Sequence, residues 1–512
     1  MYCQLDRLRR CPPRLIRQAL DELPETLDES YERTLLDIDK DNWAHAHRLF
    51  QCIVVARRPL RVEELAEFLA FKSGEGGSLT FEEEWRPEDP RDTVLSTCSS
   101  LITVVDVDGS AVMQFSHLSV KEYLTSTRIA KGPVSHYSIP LEPAHLFVTQ
   151  ACLSFLLQLD QLVTKERIEA SPLARYAGQY WADHAEFGNV SSRTEDMIKM
   201  LFDPKSHHFA NWVWIYDTIS DNSPVSAAEL RSEWTPLHYA AQHGFHRVAE
   251  WLVTTCAQDV NVTHDSRAPL NIASIKGRLM VVQVLLAHHA DIDINCSDGN
   301  WAPLHLSSWY GHPTIVRALL ERGADVNLKS REGWTPLLCL SVKGGNLEIA
   351  KMLLEHGADP NIRCKDGMDS LYRALKKGPA GRAQLLLKYG ADPNARDVDG
   401  QTLLHVSSRE GDREVTRELI ELDVEINSRD NLGRTPLQVA LENRSEGVVR
   451  LLLEHGAEST SPLCGAEAET QVRVPALNDP GSLYNSIQVD TTFYGPTRRR
   501  ALVAGIQYSD HV

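Results

Sequence analysis

The sequence has little that points to cysteine chemistry, and it contains no long apolar run. Its 10 cysteines are spread over 512 residues without a Cys-x-x-Cys pair, so neither a structural zinc site nor a redox dithiol is predicted. Free thiols in a reducing compartment are expected. The most apolar stretch, residues 145–159, is shorter than the roughly 20 residues that cross a bilayer. The first ten residues lack the apolar segment of a secretory signal.

The sequence also has fewer basic than acidic residues. The chain has 53 Lys and Arg against 70 Asp and Glu, a net charge of −17. An acidic surface repels phosphate groups, so direct binding to nucleic acid or to a membrane surface is not expected. Hydrophobic residues make up 42% of the chain, which is enough for packed cores. The length predicts about three or four structural units.

Internal repetition is the strongest signal in the sequence. A Thr-Pro-Leu-His-like tetrapeptide recurs every 33 or 34 residues, and a Leu-Leu-x-x-Gly-Ala-Asp-like segment follows it in phase. Such a period is the mark of a solenoid, in which each unit buries its apolar face against its neighbours. The anchoring leucines of the tetrapeptide are Leu237, Leu270, Leu304, Leu337, Leu371, Leu404 and Leu437.

This pattern resembles the ankyrin repeat, in seven copies over residues 231–460. Threonine at the motif start, as in Thr235, is a good helix N-cap, and Pro236 suits the first helical position. Gly244 is placed to end that first helix. The fifth unit departs from the pattern, with Asp369 in place of threonine and a Gly-Pro-Ala-Gly run at 378–381. We expect a weak point there.

Residues 1–230 do not repeat, and they hold 23 basic and 35 acidic residues. Helices are predicted over residues 1–39, 42–55, 62–71 and 118–127, with a loop over 72–90. Strands are predicted at 101–105 and 111–116 around a turn at 106–109. Three helices and a hairpin indicate a winged-helix-like module. The resulting organisation is mainly α: a helical segment and winged-helix-like module at 1–135, a helical linker at 136–230, the ankyrin solenoid at 231–460 and a mobile tail at 461–512.

Four strings in this half carry a further resemblance, and they lie at residues 23–33, 58–65, 115–124 and 176–185. They resemble fungal NACHT–ankyrin proteins, which are NLR-like. In that family the winged helix packs against a nucleotide-switching core, and the ankyrin repeats sense or bind partners. The Gly-x-x-x-x-Gly-Lys-[Ser/Thr] phosphate loop that such a core requires is missing from this sequence. The resemblance therefore implies either a standalone relic or a truncated gene model.

No catalytic, cofactor or metal site is predicted. His117 lies near Ser116, Ser119 and Glu122, but the Gly-x-Ser-x-Gly elbow of a serine hydrolase is absent. The pairs His207-His208 and His288-His289 are adjacent in sequence, so their side chains diverge on a helix. The ankyrin repeats predict instead a non-enzymatic adaptor or regulator whose partner is a protein.

The residues expected to face that partner lie on the first helix of each unit and on the hairpins. Trp, Tyr and Arg dominate binding hot spots, so the Trp309-Tyr310 pair with a flanking basic run is the candidate patch for an acidic or aromatic-bearing segment. The tryptophans before the motif have an alternative interpretation, as packing between hairpins. The full predicted set is Trp309, Tyr310, Tyr239, His243, Lys276, Lys343, Arg373, Lys376, Lys377, Arg409, Trp301 and Trp334.

Two other functions stay open at this point. One is a transcription coregulator that acts in the nucleus through a DNA-binding partner, because ankyrin proteins of this kind resemble coregulators encoded near fungal secondary-metabolite genes. The other is the C-terminal part of a nucleotide-gated NACHT receptor. The cytoplasm is the first expectation for localisation, with the nucleus as the alternative.

Overall fold

The computed structural model describes residues 26–458, with gaps at 75–78, 99–100, 108, 160–162, 222–233, 265–266, 297–298, 341–345, 366–368 and 378–381. The predicted helix before Pro24, the Gly-Pro-Ala-Gly run and the tail at 461–512 lie outside these residues. The chain divides into two compact units, Met1–Asp397 and Val398–Val512.

The N-terminal part of the first unit combines short helices with two small sheets. Its predicted hairpin is confirmed, and its predicted helices begin within a residue of the expected positions after residue 40. The elements are α1 (Leu27–Leu36), α2 (Trp43–Val55), β1 (Leu60–Arg61), α3 (Val62–Glu67), β2 (Phe71–Ser73), β3 (Leu79–Phe81), α4 (Pro90–Cys98), β4 (Ile102–Val107), β5 (Ser110–Phe115) and α5 (Leu118–Thr125).

The larger sheet has the order β1-β5-β4 and is antiparallel throughout. Leu60 lies opposite Met113, and Ile102 lies opposite Phe115. The β4–β5 turn is closed by Gly109, whose φ of +77° favours glycine and whose N–H donates to the Asp106 carboxylate at 2.9 Å.

The prediction of a loop at residues 72–90 was wrong in part. It contains β3, which pairs with β2 in a second two-stranded sheet. Leu79 and Phe81 are buried on one side of β3, where Phe81 meets Phe71 and Phe155 with ring centroids 5.1 and 5.6 Å apart. Because the segment is rich in glutamate, its alternation of buried and exposed residues was not recognised as the pattern of a strand.

In the described part of residues 141–221, six α-helices follow, and they enclose an apolar core. Trp181 and Trp212 are fully buried in it, and the Trp212 indole N–H donates to the Gly178 carbonyl at 2.9 Å. Gly178 lets two of these helices approach closely, because a Cβ at this position would clash with Ile215. The helices are α6 (Leu141–Leu157), α7 (Lys165–Glu169), α8 (Pro172–Ala185), α9 (Val190–Arg193), α10 (Glu195–Phe202) and α11 (His208–Asp221).

From Pro236 onward the helices come in pairs, an inner helix and then an outer helix. In the first unit these are α12 (Pro236–His243) with α13 (His246–Thr254), α14 (Pro269–Lys276) with α15 (Leu279–Ala287), α16 (Pro303–Tyr310) with α17 (Pro313–Glu321), α18 (Pro336–Cys339) with α19 (Leu347–Glu355), and α20 (Ser370–Lys377) with α21 (Arg382–Lys388). The second unit contains α22 (Leu403–Glu410) with α23 (Arg413–Glu421) and α24 (Pro436–Glu442) with α25 (Glu446–Glu454).

The ends of the inner helices confirm the expected capping. α12 begins at a proline after Thr235 and ends at Gly244, which has a left-handed φ of +82°. A buried histidine adds a second cap: the Thr235 N–H donates to His238 Nδ1 at 3.2 Å, and His238 Nε2 donates to the Arg267 carbonyl at 3.1 Å. His305 repeats this arrangement with Ala302 and the Trp334 carbonyl. Burial lowers the pKa of both histidines to about 4, so they stay neutral links between successive hairpins.

A ladder of asparagines joins the hairpins of the first unit. Asn327 Oδ1 accepts from the Asp359 N–H at 2.8 Å, and its amide donates to the Gly357 carbonyl at 3.0 Å. Asn361 makes the same two bonds one hairpin later. At the equivalent place in an earlier hairpin stands Asp293, which accepts from the Asp325 N–H at 3.2 Å but has no amide to donate.

We expect Asp293→Asn to stabilise the protein by about 0.5–1 kcal/mol near neutral pH, because an amide adds the missing hydrogen bond. Burial raises the pKa of Asp293, as do the neighbouring Asp325 and Asp291. A raised pKa in the folded state means that the ionised side chain costs stability above its unfolded pKa. The gain from Asn should therefore shrink as the pH falls below about 4. Thermal unfolding at pH 7.5 and 3.5 measures both effects.

The reverse swap, Asn327→Asp, is the matched control, and it should lose stability at pH 7.5. An unchanged or lowered unfolding temperature for Asp293→Asn at pH 7.5 would contradict the role given to this ladder.

Candidate functional site

Three tryptophans meet on the inner side of the array in the first unit. Trp301 and Trp334 precede α16 and α18, and Trp309 lies near the end of α16. The ring centroid of Trp309 is 5.2 Å from that of Trp301 and 6.0 Å from that of Trp334. Trp301 and Trp334 are 6.2 Å apart. All three rings are half-buried, so they pack across successive repeats and still present part of their surface.

A cation covers one face of this cluster. The Arg373 guanidinium lies 4.2 Å from the Trp334 ring centroid, which is within the range of a cation–π interaction. The same side chain donates to Cys364 Sγ at 3.7 Å. Tyr310, next to Trp309, is 46% exposed. We call Trp301, Trp309, Tyr310, Trp334 and Arg373 the aromatic patch.

Two residues that were expected to face a partner are covered instead, which corrects the prediction. Tyr239 is 5% exposed, and its ring lies 5.0 Å from Trp212 and 5.7 Å from Phe209 of α11. His243 is 9% exposed, and its Nδ1 lies within hydrogen-bond distance of Glu186 Oε1, at 3.1 Å. The physical cause is the position of α12 at the start of the array, where its apolar face needs cover from the preceding helices.

The remaining predicted residues are scattered. Lys276 is exposed at the end of α14. Lys343 lies outside the described residues, and for Lys376 and Lys377 the structure describes the helix α20 but not the side chains. Arg409, in the second unit, is exposed and donates to the Gln401 side chain at 3.0 Å. The structure thus brings together the three tryptophans, Tyr310 and Arg373.

His117 has a structural place at the start of α5. Its Nδ1 accepts from the Ser119 N–H at 3.2 Å, which caps the helix. The Ser119 hydroxyl also lies 2.6 Å from the Tyr31 hydroxyl of α1. These contacts explain the Ser-His-x-Ser string as the junction of two helices.

The fold brings together one cluster of polar side chains that was not predicted from the sequence. Asp183 and Glu186, at the end of α8, come within ligand distance of His243 on α12, and each of the three offers one donor atom within 4.8 Å of the others. His243 lies far along the chain from the two acids, so no motif spacing joins it to them. The only available signal was the i, i+3 placement of the two acids on one helix face.

The repeats also match known proteins. Residues 190–462, more than half of the chain, match the family model for ankyrin repeats (3 copies), in overlapping spans at 190–298, 237–330, 304–397 and 371–462. The chain belongs to the ankyrin-repeat family. Ankyrin repeats generally mediate protein–protein interaction, and the fold is typically non-enzymatic.

One curated relative is the azaphilone pigments biosynthesis cluster protein L of Monascus ruber. It is 30% identical over 301 residues, which cover 53% of this chain. The matched region spans 61% of the length of that relative. Among solved structures, the ankyrin repeat domain of Bcl-3, from the IκB protein family, is 27% identical with a TM-score of 0.38, over 43% of this chain and 98% of that one.

Among the described residues, no helix is both long enough and apolar enough to cross a membrane.

Proposed function

We propose that this protein is a non-enzymatic adaptor or regulator that holds a protein partner on the inner face of its ankyrin array. The observation that carries the proposal is the aromatic patch. Its three tryptophan rings are held by one another, so they lose little conformational freedom on binding. Tyr310 adds exposed aromatic surface beside them.

The charge near the patch favours an acidic or aromatic-bearing partner segment. Arg373 lies directly on Trp334. An aromatic surface with a cation at its edge suits a segment in which carboxylates alternate with apolar side chains. Lys343, Lys376 and Lys377 would extend this positive charge, and their part remains a prediction.

We also propose that the first 135 residues contain a winged-helix-like module. The order α2, β1, α3, α4 and the β4–β5 hairpin, with the sheet order β1-β5-β4, supports this proposal. The helix pairs from α12 to α25 support seven repeats. The excess of acidic residues in the first 230 positions disfavours direct binding of this module to DNA. The NACHT resemblance of this half stays a prediction.

The test of the patch is quantitative affinity capture of partners from an extract of the native source, with the full-length protein as bait. Tyr310→Ala should reduce recovery of the partner, and the double change Trp309→Ala with Tyr310→Ala should reduce it at least tenfold, which corresponds to about 1.4 kcal/mol of binding free energy. Tyr310 is the cleaner single change because it is the more exposed of the two.

The matched control is Trp85→Ala, which removes a 52%-exposed tryptophan outside the array. It should leave capture unchanged. Full capture by the double variant, at an unaltered unfolding temperature, would rule out the patch.

A second candidate function is that of a transcription coregulator acting in the nucleus through a DNA-binding partner. The observation that favours it is the relative from a pigment biosynthesis cluster. Such a protein would take part in the regulation of a secondary-metabolite gene cluster. It would hold its partner on the ankyrin face and bring that partner to the promoter. Under this proposal a fluorescently tagged full-length protein accumulates in nuclei when the cluster is active. Its exclusion from nuclei under those conditions would discard the coregulator and leave the cytoplasmic adaptor.

A further inference from the structure

A polar cleft of about 400 Å³ opens between the helical layer and the first repeats. Asp183 and Glu186 line it from the end of α8. His243, Lys276 and Arg278 line it from the array. Both sides belong to the first compact unit, and the cleft lies apart from the tryptophan rings of the aromatic patch.

The spacing of the donor atoms in this cleft is close to that of a metal site. In a tetrahedral zinc site with bonds of about 2.0–2.1 Å, neighbouring donor atoms lie about 3.3 Å apart. Glu186 Oε1 and His243 Nδ1 are already 3.1 Å apart. The nearest donor oxygen of Asp183 completes the group within 4.8 Å. Asp183 and Glu186 are three residues apart, at the last turn of α8, so the helix holds both on one face.

The contacts made by Arg278 and Arg57 do not use Glu186 Oε1 or the Asp183 carboxylate. Arg278 pairs with Glu186 through the other carboxylate oxygen, Oε2, at 2.6 Å. Arg57 approaches Asp183 through the main-chain carbonyl at 2.8 Å, not through the side chain. Among the described residues, no Lys, Arg or His side chain forms an ion pair with the Asp183 carboxylate within 4 Å, and none donates a hydrogen bond to it.

Two features of the cleft favour a cation beside Asp183. The Asp183 carboxylate is partly buried and has no ion pair among the described residues, whereas Glu186 is paired with Arg278. His243 is nine-tenths buried, and its Nδ1 faces Glu186 Oε1, so this nitrogen is held towards the acids.

We propose that Asp183, Glu186 and His243 bind one divalent metal ion of the zinc class, with His243 coordinating through Nδ1. A mixed imidazole and carboxylate set suits Zn²⁺ better than the oxygen-seeking Mg²⁺ or Ca²⁺. The metal takes the place of the proton in the hydrogen bond between Nδ1 and Oε1, and that proton is released to solvent. Three protein ligands leave a fourth position for water.

The bound ion would join α8 to α12. It would thereby add a link between the helical layer and the first repeat, beside the contacts of Glu186 with Arg278 and His243. This role is structural, and it is independent of which partner the array binds.

The experiment uses the full-length protein without a histidine tag, freed of metal with a chelator and titrated with Zn²⁺ alone in a calorimeter. We expect one Zn²⁺ per chain with a dissociation constant of about 10 μM or lower, and a higher unfolding temperature when zinc is present, because a ligand that binds only the folded state stabilises it. Co²⁺ in place of Zn²⁺ reports the coordination through its visible absorption.

Asp183→Asn and His243→Gln should each weaken Zn²⁺ binding at least tenfold. Asp183→Asn is the safer variant for folding, since it keeps the size of the side chain and removes a poorly compensated charge. The matched control is His207→Gln, which removes an exposed histidine outside the cleft and should leave the affinity unchanged. No binding at 100 μM Zn²⁺, or binding that both cleft variants leave intact while they remain folded by circular dichroism, would overturn the proposal.

Discussion

The structure depends on one constraint: a pair of short helices cannot bury its own apolar faces. Each ankyrin repeat must therefore be covered on both sides, and the first repeat has no earlier repeat to cover it. Aromatic side chains of the preceding helices do this instead. The Trp181 ring stacks on Phe245 at 5.5 Å, and the Trp212 ring meets Tyr239 at 5.0 Å. The match to the ankyrin family model begins at residue 190, ahead of α12, so the family resemblance already includes helices that perform this covering. The segment before the array is thus packed as its first layer.

This layer decides which part of the inner face is open to a partner. Tyr239 and His243 occupy positions that are open in the middle of an array, but here they are covered by α11 and the end of α8. The partner surface that we propose lies later in the array, at Trp309 and Tyr310. The same covering brings the acids at the end of α8 to the polar ends of α12 and α14, where the polar cleft lies. The proposed partner surface and the proposed metal site are therefore separate results of one packing requirement.

Much of the local structure was predictable from the sequence. The period of 33 or 34 residues predicted the helix pairs, and Thr235, Pro236 and Gly244 marked the ends of an inner helix because caps and left-handed glycines act over a few residues. The β4–β5 hairpin was predictable for the same reason. Contacts between distant segments were not. The burial of Tyr239 depends on α11, and the second bond of His238 depends on the next hairpin. Of the predicted site, the tryptophans and Arg373 meet as neighbours in successive repeats, while the meeting of His243 with Glu186 had no signal in sequence spacing.

The claim that the helical layer and the first repeat stabilise each other is tested most directly by hydrogen exchange on the full-length Phe245→Ala variant. Phe245 is 3% exposed and contacts Trp181 and Phe202, so its removal should cost about 3–5 kcal/mol locally. We predict that amide protection falls together in α8, α11, α12 and α13, while the exposed change Tyr310→Ala leaves all four unaltered. Loss of protection confined to α12 and α13, with α8 and α11 as protected as before, would contradict the account and show that the two parts are stable independently.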